Sequence, residues 1–98
     1  MKRIDAITKL KSSAGDIRRH GVKALYLYGS TAKDTATKTS DIDLFFDYDP
    51  KSKFNVLDLV SIKRTLEKLL GIGVDLTTRS GLHPLIRKRI EAEARRVF

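Results

Sequence analysis

Cysteine is absent from this 98-residue chain. That excludes a disulfide framework and any zinc site built on thiolates. Long apolar runs are missing too, and none approaches the ~20 residues needed to cross a bilayer. The opening MKRIDAITKLKSS is basic and amphipathic but lacks the unbroken apolar centre of a signal peptide, so a cytoplasmic location is expected, with no membrane partner. Aromatics are few, 3 Tyr and 4 Phe, and are not interleaved with the basic residues, which argues against a stacking platform for single-stranded nucleic acid. Acidic residues are the minority: 12 Asp and Glu stand against 20 Lys and Arg, for a formal charge of +8. Such an excess favours anionic partners, whether nucleotides, nucleic acid or an acidic protein. Its densest part, Arg87, Lys88, Arg89, Arg95 and Arg96, reads first as a solvated helix face.

No internal repeat or linker divides the chain, and residues 1–98 read as a single small domain. A chain this short buries roughly two-thirds of its unfolded surface, so the core is thin. Apolar spacing predicts a helix from about Arg3 to Arg19 on Ile4, Ile7, Leu10, Ala14 and Ile17, stopped at His20-Gly21. Lys23 to Tyr28 reads as a buried strand that ends abruptly at Gly29. A short helix from Ser30 to about Ala36 is expected next, then loop. Asp41 to Tyr48 is a second strand, with Asp41, Asp43, Phe45 and Asp47 on one face. Asp49-Pro50 closes it. Asn55 to Leu70 is helical on Leu59, Ile62, Leu66 and Leu69. Gly73 to Thr78 is a third strand, with Asp75 facing away from Val74 and Leu76. Leu82 to Phe98 reads as a final helix on Leu82, Ile86, Ile90, Ala94 and Val97. The expected class is α/β (α+β): a small mixed sheet of three or more strands with helices packed on one face.

The chemistry-bearing residues are concentrated between Tyr28 and Phe46, in YGSTAKDTATKTSDIDLFF. In a strand, Asp41 and Asp43 project from one face with Cα atoms ~7 Å apart. Two unit charges at that distance repel by roughly 2 kcal/mol at an effective dielectric near 20. A cation between them relieves this, and magnesium suits the position because it takes one or two carboxylates plus water and nucleotide phosphates. Gly29 permits close backbone approach, and the helix after it offers amide hydrogens and a hydroxyl, Ser30, to phosphate. Gly-Ser alone is a weak signal, and Asp41 or Asp75 alone reads as a cap or an exposed strand residue. Asp is depleted in strands, however. The conjunction of Asp41, Asp43 and Asp75 with Gly29-Ser30 therefore favours a metal-dependent nucleotide site.

Gly29-Ser30, ten residues, then Asp41-Ile42-Asp43-Leu44 resembles the signature of the nucleotidyltransferase superfamily that includes DNA polymerase beta. The short length and the ending LHPLIRKRIEAEARRVF narrow the resemblance to the minimal nucleotidyltransferases, or MNT proteins, many of them antitoxins paired with HEPN-domain toxins. The resemblance covers essentially the whole chain. It implies the polymerase beta-like fold, with Gly29, Ser30 and Lys33 on the triphosphate. It further implies Asp41, Asp43 and Asp75 around two Mg2+ ions, and Asp75 as acceptor of the attacking hydroxyl's proton. The activity implied is magnesium-dependent transfer of AMP from ATP to a tyrosine of a HEPN-type toxin. Where members of that family usually carry Arg-Gly, this chain has Lys33-Asp34. Lys33 keeps the charge but loses the bidentate fork, and Asp34 adds a carboxylate. Other readings of the sequence are a non-catalytic antitoxin that blocks its toxin by complex formation, and nucleotidyl transfer to a small molecule. Direct nucleic-acid binding is the least favoured of them.

Overall fold

The computed structural model describes residues 1–98. Four strands, the last of them β4 (Arg95–Arg96), form one sheet; numbered along the chain, they lie in the order third, second, first, fourth. β1 (Val22–Tyr28) and β2 (Ile42–Tyr48) run antiparallel, with an irregular step at Lys23. β3 (Val74–Thr78) returns parallel to β2. α4 (Val56–Leu70) makes this crossover, as a parallel connection requires. Its start is fixed locally: Asn55 Oδ1 accepts from the Leu57 and Asp58 amides while Asp58 accepts from the Asn55 amide.

Period-two alternation sorts the side chains. Leu25, Leu27, Ile42, Leu44, Phe46, Val74 and Leu76 face one side, where α1 (Arg3–Ser12), α2 (Ala14–Arg19) and α4 pack Ala6, Leu10, Ile17, Ile62, Leu66 and Leu70 against them. A fully buried Leu contributes roughly 1.5–3 kcal/mol, so this layer carries most of the stability. The opposite face bears Tyr26, Tyr28 and Phe45, partly covered by Leu82, by Ala94 and by Ile90 of α5 (Arg87–Glu93). No helix is long and apolar enough to cross a membrane.

An ionic clamp holds α5 to the sheet. Arg79, in a 3-10 turn after β3, donates from Nε to Asp47 Oδ1 at 2.8 Å and from Nη2 to Oδ2 at 3.0 Å. Its Nη1 donates to Glu91 on α5. The guanidinium lies over the rings of Tyr26 and Phe45, 4.9 and 5.1 Å from their centroids.

Three expectations need correction. The first helix is two, broken at Ser13, whose amide bonds to the Leu10 carbonyl. The short helix after β1 is a single turn, α3 (Gly29–Ala32), and does not reach Ala36. The last helix spans only Arg87–Glu93: residues 82–86 lie outside it, and it does not reach Phe98. Arg95–Arg96 form β4 along β1, extended by Val97 N donating to Leu25 O at 2.8 Å and Leu25 N to Phe98 O at 3.1 Å. Without β4, the β1 edge would present unpaired amides and carbonyls, and pairing there outweighs one more helical turn.

Candidate active site

At one end of the sheet, β1 finishes while β2 and β3 begin. Tyr28 is the register partner of Asp43, and Asp43 that of Asp75. Alternation points all three to the face opposite α1 and α4. Asp41 lies one residue before β2, and its carboxylate closes on Gly73, where a Cβ would come within 2.5 Å of Asp41 Oδ1. Gly29 turns the chain at φ 73°, and a Cβ there would collide with the Asp43 carboxylate. The two glycines are thus the room in which two of the acids sit.

The electrostatics are those of crowded negative charge. Burial first, then Asp75 and Asp41, raise the Asp43 carboxyl above its ordinary value. Burial, Asp43 and Asp75 push the Tyr28 phenol up to about 12. All three acids therefore share one field. Asp43 is half-buried, while Asp41 and Asp75 are exposed at the rim. As they stand, no three His, Cys, Asp or Glu side chains are gathered closely enough to hold a metal ion. The donor set nevertheless fits magnesium. It is all carboxylate oxygen, it is short of positive charge, and magnesium in nucleotide sites needs only one or two carboxylates beside the phosphates.

Ser30 sits in α3 immediately after the bend, and Lys33 is the residue that ends this turn. Lys33 does not stand free: its ammonium is 3.2 Å from Glu93 Oε2. Asp34 adopts φ 59°, a left-handed conformation that Asp tolerates and Gly prefers. Its Oδ1 accepts from the Arg3 amide at 2.7 Å, so the carboxylate is committed to the start of α1. The site thus brings together Gly29, Ser30, Asp41, Asp43 and Asp75, with Lys33 tied to α5. Sequence reasoning missed Tyr28 and Glu93 as neighbours of the site. Pairing β1 with β2 would have found Tyr28, whereas nothing in the sequence marks the Glu93 contact across 60 positions.

A nucleotidyltransferase-domain profile matches residues 7–97. The chain belongs to the nucleotidyltransferase family. Among its relatives is MJ0435 of Methanocaldococcus jannaschii, a candidate protein adenylyltransferase 41% identical over 76 residues, covering 78% of this chain and 80% of that one. A solved structure of a candidate minimal nucleotidyltransferase superposes with TM-score 0.83 at 29% identity, over 97% of this chain and 95% of the other. The structure of a tri-AMPylated Shewanella oneidensis HEPN toxin in complex with its MNT antitoxin shares the fold, with TM-score 0.66 at 14% identity over 94% and 71% of the two chains. The four-stranded mixed sheet of this chain matches the fold of that minimal nucleotidyltransferase candidate.

Proposed function

We propose that this nucleotidyltransferase transfers AMP from ATP, with magnesium, to a tyrosine hydroxyl of a HEPN-type toxin and so acts as its antitoxin. The observation that carries the reading is the pairing of Asp43 with Asp75 beside the Gly29-Ser30 bend, in a field that also includes Asp41. The adenylyltransferase relative and the AMPylated complex of the same fold support the choice of adenylyl group and acceptor protein.

In this reading the Ser30 hydroxyl and the amides at the start of α3 hold the triphosphate, and Gly29 lets it approach the backbone. Lys33 supplies a compact positive charge to the same phosphates. Asp41, Asp43 and Asp75 hold magnesium, which when bound neutralises charge at the α-phosphate and on the departing pyrophosphate. Asp75, exposed at the rim, accepts the proton of the attacking hydroxyl. That oxygen bonds to the α-phosphorus as the bond to pyrophosphate breaks, leaving AMP on the partner. Positioning and charge complementarity supply most of the acceleration.

Incubation with a HEPN-type partner, ATP and magnesium should add the mass of AMP to that partner. Asp41→Ala with Asp43→Ala should abolish the increment. An unmodified partner, or modification by the double variant, would refute the reading. A blocker without transfer is the second reading, favoured by the engagement of Lys33 with Glu93. Calorimetry separates the two, because a pure blocker binds its toxin without binding MgATP.

A further inference from the structure

Lys33 stands three residues after Ser30, so the two side chains emerge on the same side of α3. Its ion pair with Glu93 forms part of the wall of a cleft of about 590 Å³ between α3 and the end of α5, lined also by Arg3 and Arg95. Arg3 is fixed there, donating from Nη1 to the Ala32 carbonyl at 3.0 Å. The cleft holds three cations, and Glu93 is its one acid.

The placement of Glu93 does nothing for its own helix. It is the last residue of α5, the end where a helix dipole favours cations. Its only ionic partner is Lys33. Both side chains are partly exposed, at 54% and 37%, so the pair is held weakly enough to exchange. A carboxylate at a helix C-terminus, paired with the lysine that ends α3, has the geometry of a competitor for phosphate.

We propose that Glu93 is a specificity-determining latch on Lys33: it holds the ammonium when the site is empty and is displaced by the phosphate chain of ATP. The proposal rests on the reading of Lys33 as a triphosphate ligand. A triphosphate carries more charge than one carboxylate and wins the exchange, whereas ligands without phosphates leave the latch closed. Glu93 thus lowers affinity for every ligand that must take Lys33 from it and is indifferent to the others.

The test is a binding titration of fluorescent ATP and of adenosine, with magnesium at low ionic strength, on the intact chain, Glu93→Gln, Lys33→Met and the double variant. Thermal unfolding of each variant reports its folding. Glu93→Gln should bind ATP about two- to fivefold more tightly, the range of an exposed ion pair. The gain should shrink as salt screens the pair. It should be absent in the Lys33→Met background, and adenosine binding should not change. An unchanged or weakened ATP affinity in Glu93→Gln would overturn the latch, as would a gain that survives Lys33→Met or appears equally with adenosine. Failure of both the intact chain and Glu93→Gln to bind MgATP would instead overturn the reading of the site itself. ATP binding that Glu93 does not affect would overturn the latch alone.

Discussion

Asp43 lies half-buried between two other carboxylates and a phenol, and its raised proton affinity has a direct consequence for stability. The unfolded chain releases this proton near 3.8, and the folded chain releases it later. The stability the group contributes is therefore intact below the unfolded value and is lost as pH climbs through the raised one. Asp43→Asn has no proton to lose. Without divalent ions it should melt with the wild type near pH ~4 and above it near pH ~7.5, by about 4–8 °C for each kcal/mol of repulsion relieved. Saturating magnesium should stabilise the wild type and remove the difference. Scanning fluorimetry at both pH values checks this, and a variant that melts lower at the higher pH would show that the carboxylates do not strain the fold. At this scale the sequence was partly legible. Asp41, Asp43 and Asp75 could be singled out because carboxylates are depleted in apolar strands, and the strand register that sets Asp43 beside Asp75 follows from the same alternation. The engagement of Lys33 and Asp34 was not legible, because their partners Glu93 and Arg3 come from remote parts of the chain and reach them only after the sheet has formed.

The elements were read best where local signals and tertiary packing agree. α4 starts after Asn55 and ends at Leu70 as its apolar spacing predicts, and the three long strands fall within a residue or two of their expected bounds. Disagreement concentrates in the last seventeen residues. Ile86, Ile90, Ala94 and Val97 keep helical spacing, yet the chain leaves the helix after Glu93 because the β1 edge offers hydrogen bonds that solvent would otherwise have to satisfy. The same segment depends on Arg79, which no sequence pattern singles out and which is a partly buried clamp in the fold. Arg79→Ala leaves Asp47 and Glu91 short of their partner and should cost about 2 kcal/mol. Arg79→Lys should recover little of it, since an ammonium cannot bridge both oxygens of Asp47 or stack on Tyr26 and Phe45. Hydrogen exchange is the informative measurement. Protection should fall across 87–97 and hold across α4, and equal loss in both would mean that Arg79 supports the whole core and not the α5 segment.

For the molecule as a whole, both ends of the chain are tied into one structure. The start of α1 is capped by Asp34, and the last residues close the β1 edge. Removing residues 95–98 should leave the helix-covered layer folded but expose that edge, and the truncated chain should form concentration-dependent oligomers by light scattering. A truncated chain that stays monomeric would show that β4 is dispensable for shielding.

Alternation along β3 has a consequence for the whole population of molecules. Val74 and Leu76 lie among the helices while Asp75 lies opposite, paired with Asp43. A slip of a single residue would drive Asp75 into oil and turn its two apolar neighbours out to water. Misassembly therefore removes molecules from the folded pool and leaves no impostors with acids out of line. How many chains fold and how many carry those acids in line become one quantity, policed by the greasy side of the strand.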